Sequence, residues 1–164
     1  MLSITIPTYN EKENLPILIE KINYILKQNK INGEIIVVDD NSPDGTGKLA
    51  EDLKKKYENM KVLHRAGKLG LSSAVLDGFK IAEGDIMVVI DADLSHPPEV
   101  IPLMYNEIQK GTDFVIGSRY IKGGKIIGWS LYRRFISKGA NLISRPFSKA
   151  NDSMSGYIMI KKEC

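Results

Sequence analysis

Cysteine is nearly missing from this 164-residue chain: there is one, Cys164, the last residue. No internal disulfide can form. With two histidines and that single thiol, zinc fingers and Cys-rich metal sites are also excluded. Any metal has to be held by oxygen ligands. Long hydrophobic runs are missing too. The longest are short, such as Ile35 to Val38 and Ile86 to Ile90, far from the ~20 residues that span a bilayer. Met1 to Ile6 lacks the basic and apolar regions of a signal peptide. The expectation is a soluble chain, or one that rests on a membrane surface. Lys+Arg is 23 and Asp+Glu is 20, a net charge of +3, too small an excess for a general nucleic-acid binder. With 43% hydrophobic residues, the length suits one domain with a real core.

The charge is unevenly placed. Between Phe114 and Asn151 there is no Asp or Glu, yet the stretch holds Arg119, Lys122, Lys125, Arg133, Arg134, Lys138, Arg145 and Lys149. The acids gather earlier, at Asp39, Asp40 and Asp44 and at Asp91 and Asp93. A solvated basic face is the plain explanation. The sharper one is a surface for phosphates or an anionic membrane.

Hydrophobic periodicity divides the chain into alternating strands and helices. Ser3 to Pro7, Ile35 to Val38, Lys61 to Leu63, Ile86 to Ile90, Phe114 to Gly117 and Tyr157 to Ile160 read as strands. Leu15, Leu18, Ile19, Ile22, Ile25 and Leu26 recur at helical spacing, with Pro16 in the first turn and Asn32-Gly33 as the stop. A second helix presents Leu49, Leu53 and Tyr57. A third, capped by Ser72 or Ser73, presents Val75, Leu76 and Phe79. A fourth opens at Pro97-Pro98 and carries Val100, Ile101, Met104 and Ile108. A fifth runs from Trp129 to Ile143 with Leu131, Phe135 and Leu142 inward. The alternation predicts an α/β fold with an open, mainly parallel sheet flanked by helices.

Ligands of such sheets bind beyond the carboxyl ends of the strands. Four polar segments fall there: Pro7-Thr8-Tyr9-Asn10-Glu11, Asp39-Asp40-Asn41-Ser42-Pro43-Asp44-Gly45-Thr46, Asp91-Ala92-Asp93-Leu94-Ser95-His96-Pro97 and Gly117-Ser118-Arg119-Tyr120. If its strand stays extended, Asp91 and Asp93 share a side. Two close anions then call for a cation, and a hard divalent ion fits. Taken alone, the pair also fits one carboxylate capping the Pro97 helix and one in solvent. Familiar nucleotide motifs are absent. Gly45-Thr46-Gly47-Lys48-Leu49 has Ser42 in place of the first P-loop glycine and Leu49 in place of Ser/Thr. No G-x-G-x-x-G follows the first strand, and two histidines support no Ser-His-Asp arrangement. His64 lies at a strand end, and His96 is read as a residue of the helix start rather than a catalytic one. Asn151-Asp152-Ser153 matches a glycosylation sequon by chance.

In this order, with Lys12-Glu13-Asn14-Leu15 after the first, the four segments resemble glycosyltransferase family 2. The Asp39-to-Thr46 and Asp91-to-Pro97 segments resemble its polyprenyl-phosphate sugar synthases, and the chain as a whole resembles the polyprenyl-phosphate mannosyltransferases among them. The resemblance covers essentially the whole chain. It implies a GT-A (Rossmann-like) catalytic domain over residues 1–164, a nucleotide-sugar donor, and Mg²⁺ or Mn²⁺. By motif it implies that Pro7, Tyr9, Glu11, Val37 and Asp39 bind the guanosine of GDP-mannose. Asp91, Ala92 and Asp93 would take the diphosphate and metal, with Ser95 where some members offer Gln to the metal. Arg119, Arg133 and Ser137 would hold the acceptor phosphate. Asp91, Asp93 and Arg119 form the implied catalytic set.

The implied reaction is inverting transfer of mannose from GDP-mannose to dolichyl or polyprenyl phosphate, at the cytoplasmic face of a membrane and without nucleic acid. A lipid phosphate is already an anion, so it needs positioning by guanidinium groups more than deprotonation. Acids on the donor side and an acid-free acceptor side follow. Family members usually continue beyond a strand like Ser155 to Ile160, so the catalytic domain is expected to be C-terminally incomplete. Another donor such as UDP-glucose, and a nucleotide-holding domain without turnover, remain open. A phosphoacceptor regulator built on Asp39-Asp40 explains neither Tyr9-Asn10-Glu11 nor the acid-free stretch.

Overall fold

The computed structural model describes residues 1–118, 152 and 155–164. Its strands are β1 (Leu2–Thr8), β2 (Gly33–Asp39), β3 (Met60–His64), β4 (Ile86–Val89), β5 (Phe114–Ile116) and β6 (Ile158–Lys161). Its helices are α1 (Leu15–Gln28), α2 (Thr46–Lys56), α3 (Leu71–Ile81) and α4 (Ile101–Gln109), the last preceded by a 3₁₀ turn, Pro98–Val100. The strands form one sheet in the order β3-β2-β1-β4-β6-β5. β1 pairs parallel with β2 and β4, and β2 with β3. β6 runs antiparallel to both β4 and β5, so β5 points the same way as the parallel set. The open, mainly parallel sheet is as the periodicity predicts.

Period-two alternation sorts the strand residues between two faces. Leu2, Ile4, Ile6, Ile35, Val37, Val88 and Ile90 face the larger apolar cluster, completed by α1, Ala50 of α2, and Ile101, Met104 and Ile108 of α4. Ile36, Val38 and Met87 face a smaller cluster with Ala74 and Ala82. α1 buries all six of its predicted apolar positions and holds Pro16 in its first turn. It ends earlier than Asn32-Gly33: Asn29 Nδ2 donates to Ile25 O at 2.8 Å, Lys30 turns to φ 54°, and Gly33 already belongs to β2.

α3 departs furthest from expectation. It buries Ala74 and Gly78, while Leu76 is 59% exposed. A Cβ on Gly78 would come within 2.5 Å of Thr5 Cγ2 and 3.2 Å of Val38 Cγ2. The helix therefore lies on β1 and β2 through its smallest residues, and its larger ones turn outward. Its N-cap is Gly70 rather than Ser72 or Ser73. Ser73 Oγ donates back to the carbonyls of Leu69 and Gly70 instead. The predicted helix from Trp129 to Ile143 lies outside the described residues.

Candidate active site

Because β1, β2, β4 and β5 run the same way, the four polar segments leave one rim of the sheet. The register puts Thr8 opposite Asp39 and Asp39 opposite His64. Asp39 is 2% exposed. Its Oδ1 accepts from Thr8 Oγ1 at 3.1 Å, and its Oδ2 accepts from the Ser42 N–H at 3.0 Å. Ser42 Oγ also donates to Asp39 and itself accepts the Asn10 N–H at 3.0 Å. One carboxylate thus ties the first rim loop to the second. Asn10 and Asn41, both at positive φ, form the bends; asparagine tolerates that conformation better than most side chains.

A second chain of bonds runs from Asp44. Its Oδ1 accepts from the Thr46 N–H and Oγ1 at 2.9 and 2.6 Å, and Thr46 Oγ1 accepts the Glu11 N–H at 3.0 Å. Lost hydration is the largest influence on the pKa of Asp44 and pushes it up. The bonds from Thr46 and from the Lys12 N–H outweigh it and hold the carboxyl below its usual range. Glu11 Oε2 accepts from Asn14 Nδ2 at 2.9 Å. Tyr9 is 36% exposed, and Lys68 Nζ lies 4.0 Å from its ring centroid, within cation–π range. Pro7 is half-buried beside them. Val37 is fully buried in the larger cluster, so its side chain serves packing.

The Asp91 segment does not continue as a strand. β4 ends at Val89, and residues 92–94 turn. Asp93 Oδ1 accepts the Ser95 N–H at 2.9 Å, and Leu94 sits at φ 61°. Positive φ is strained for a bulky residue, but Leu94 packs against the larger cluster, which holds the turn in place. The extended geometry for the two carboxylates is thus replaced by a tight turn. Ala92 points inward at 3% exposed, Asp93 and Ser95 are exposed, and Asp91 is half-buried. Two carboxylates on one exposed turn fit a hard divalent cation that keeps its other positions for water and phosphate oxygens. Among the described residues no group of three or more His, Cys, Asp or Glu side chains is placed to hold an ion, so a ligand and solvent would complete the sphere.

β6 closes the rim beside this turn. Gly117 N–H donates to Tyr157 O at 2.8 Å, and Ser155 Oγ donates to Gly117 O at 2.8 Å. A Cβ on Gly117 would fall 2.6 Å from Tyr157 Cδ1, so only glycine allows that approach. His96 is 8% exposed and stacks on Tyr157, with centroids 5.0 Å apart and planes 14° apart. Tyr157 Oη donates to Pro97 O at 3.1 Å. Burial, and then the charge of Glu99, pushes the phenol well above its ordinary range, so it stays neutral. Arg119, Arg133 and Ser137 lie outside the described residues.

Motif reading missed three features of this rim. Lys68 shows no signal until the fold brings it over Tyr9. Tyr157 looks like plain strand sequence. Asp40 and Arg65 form a buried ion pair, with Arg65 Nη1 2.7 Å from Asp40 Oδ1. Asp40 Oδ2 also accepts the N–H groups of Leu69 and Gly70 at 3.1 and 3.2 Å, which fixes the Lys68 loop. An acid beside the loop acids and an arginine just past a strand are the only sequence hints of that pair.

Acidic and polar loops gathered on the carboxyl rim of an open sheet put the chain among α/β domains that hold ligands at strand ends. Within that class it belongs to glycosyl transferase family 2, whose profile matches residues 3–163. It is 49% identical, over 99% of its length, to a dolichol-phosphate mannosyltransferase of Pyrococcus furiosus, 46% of which is covered. The chain spans about half the length of the curated relatives it matches. A mannosyltransferase from Pyrobaculum calidifontis, solved with GDP-Man and Mn²⁺, is similar at 25% identity and a TM-score of 0.54, over 60% of this chain and 29% of that one. A glucosyl-3-phosphoglycerate synthase from Mycobacterium tuberculosis, solved with Mn²⁺, UDP-glucose and phosphoglyceric acid, shares the fold. It aligns with a TM-score of 0.72 at 21% identity, over 99% of this chain and 57% of that one. Among the described residues, no helix is long and apolar enough to cross a membrane.

Proposed function

We propose that this chain is the donor-binding part of a polyprenyl-phosphate mannosyltransferase, which moves mannose from GDP-mannose to dolichyl or polyprenyl phosphate. The observation that carries this reading is the Asp91–Asp93 turn, exposed on the same rim as the Tyr9, Glu11 and Asp39 loops. The name of the Pyrococcus furiosus relative supports it. Tyr9 and Glu11 offer an aromatic face and a carboxylate to base and ribose, while Asp39 shapes the loop they stand on. Asp91 and Asp93 would hold Mg²⁺ or Mn²⁺ for the donor diphosphate, with Ser95 beside them. When bound, the cation supplies charge stabilisation for the departing nucleoside diphosphate.

On the acceptor side, Arg119, Arg133 and Ser137 orient the lipid phosphate. Arg133 and Ser137 are four residues apart, a spacing that on a helix would put both on one face. A phosphate oxygen of the lipid attacks the anomeric carbon opposite GDP. The new carbon–oxygen bond forms as the old one breaks, GDP leaves, and the configuration inverts. The acid-free stretch from Phe114 to Asn151 faces an anionic membrane, at its cytoplasmic side, with the chain held there peripherally.

Calorimetry with GDP and with UDP, each with Mn²⁺ or EDTA, tests the reading. GDP should bind in a Mn²⁺-dependent way. Asp93→Ala should weaken that binding by roughly tenfold to a hundredfold, the scale of one charged contact. Unchanged Mn²⁺-dependent affinity in Asp93→Ala refutes the assignment, and tighter binding of UDP than of GDP refutes the choice of donor.

A further inference from the structure

His96 sits in the acidic segment, yet the sequence assigns it only to the start of a helix. The structure gives it a position with consequences. Its Nδ1 lies 3.4 Å from the Asp91 backbone nitrogen and 3.5 Å from Asp91 Oδ2. The backbone N–H donates to Nδ1. Tyr157 clamps the ring from the other side, and its hydroxyl is tied to Pro97 O, the residue after His96. Brace and clamp come from parts of the chain far apart in sequence.

We infer that His96, fixed by Tyr157, is a positioning residue: it anchors the Asp91 backbone and holds the Asp91 carboxylate in the orientation that receives the cation–diphosphate pair. This rests on the donor reading above and adds a residue to it. The ring need not touch the substrate. Its work is to fix one N–H at the point where β4 gives way to the turn. Groups that orient a metal's ligands from behind typically change metal affinity by about 10–100-fold when removed.

Two substitutions separate the acceptor atom from the ring. In His96→Asn, Oδ1 replaces Nδ1 as an acceptor for the Asp91 N–H, and the stack on Tyr157 is lost. In His96→Phe the stack is kept and the acceptor is lost. For each full chain, calorimetry measures GDP dissociation constants in Mn²⁺ and in EDTA, and far-UV CD follows thermal unfolding. The readout is the ratio of the two constants, which general loosening of the fold does not move selectively. His96→Phe should lower the Mn²⁺ enhancement by about tenfold or more. His96→Asn should keep it within about threefold of wild type, even if it melts earlier. The reverse order, with Phe like wild type and Asn impaired, marks a packing role and overturns the inference. If His96→Phe fails to fold, the Asn variant decides alone: a wild-type ratio upholds the inference, and a tenfold loss overturns it. If the wild-type chain shows no Mn²⁺ enhancement at all, the donor reading fails and takes this inference with it. If wild type shows it and His96→Phe matches, only the inference fails.

Discussion

Replacing Arg65 by Met should destabilise the domain more than any other single change to a charged residue of the rim. The Arg65 side chain is 5% exposed, and that of its partner Asp40 is 7%. Nη1 donates to Asp40 Oδ1 at 2.7 Å and to Gly70 O at 3.3 Å, Nη2 donates to Ser73 Oγ at 2.6 Å, and Nε lies 3.2 Å from Asp77 Oδ2. Methionine matches much of the arginine stem but none of these donors. Asp40 would then stay buried with only the Leu69 and Gly70 N–H groups for compensation. Breaking a buried pair from one side costs about 3–5 kcal/mol. The two remaining N–H bonds favour the low end, about 3 kcal/mol. For a domain of this size that corresponds to a loss of roughly 6–12 °C in melting temperature. It would also remove a sizeable fraction of the roughly 5–15 kcal/mol that keeps a domain folded. Urea unfolding followed by CD at 222 nm measures it. The same experiment on Asp40→Asn, alone and combined with Arg65→Met, completes a cycle. With the carboxylate gone, loss of the arginine should cost at least about 1 kcal/mol less than it does in the wild-type background. Arg65→Met within about 1 kcal/mol of wild type, or strictly additive effects, would refute the reasoning.

Two further outcomes are expected. Gly78→Ala should cost about 1–3 kcal/mol, because its Cβ meets Thr5 and Val38, whereas Leu76→Ala should stay within about 0.5 kcal/mol, since Leu76 is mostly exposed; paired urea melts check both. Glu34 is buried, which works to raise its pKa. Contacts with Lys61, Ser3 Oγ and the Glu83 N–H prevail and hold it below the ordinary 4.5. Its contribution is therefore present above pH 4.5 and is lost as pH falls through the lower folded-state value. Glu34→Gln should be less stable at pH 7 and show a flatter acid limb. An equal gap between the two proteins at pH 7 and at pH 3, in urea midpoints, would contradict this.

The parts legible in the sequence are those where one element decides its own fate. β2 and β4 read as buried strands because Ile35 to Val38 and Ile86 to Val89 are apolar without interruption, as sheets covered on both faces require. α1 is legible because six apolar residues keep one helical stripe. The four rim segments are legible because clusters of polar residues just after strands stand out against the apolar runs that precede them. What escaped reading depends on close contacts between elements. α3 shows larger apolar residues at helical spacing, but the facing Thr5 and Val38 leave room only for Ala74 and Gly78. Asp39 shows as an acid in a loop, and nothing local says that Thr8 and Ser42 will bind its oxygens. The turn after Val89 is set by Leu94 reaching the core against its own backbone preference. The His96–Tyr157 stack joins residues about sixty positions apart, a distance no periodicity can bridge.

β6 has a consequence for how this domain comes into being. It is inserted between β4 and β5 and is antiparallel to both, and residues 117–157 separate it from β5 in the chain. During synthesis, β1 to β4 emerge first and can pair by short-range crossovers. β4, the strand that leads into the acidic turn, then has one unpaired apolar edge until residues 158–161 leave the ribosome. Among the described residues β5 pairs only with β6, so it has no place in the sheet before that moment. Bringing together strands so far apart in sequence adds only slowly to the entropic cost, so the final sheet stays within reach. Its interval of exposure, however, is set by translation time. An open edge of Ile-Met-Val-Val is the kind of surface that recruits other nascent chains. Slow codons or a stall within residues 117–157 should therefore raise aggregation of this protein more than a stall anywhere upstream.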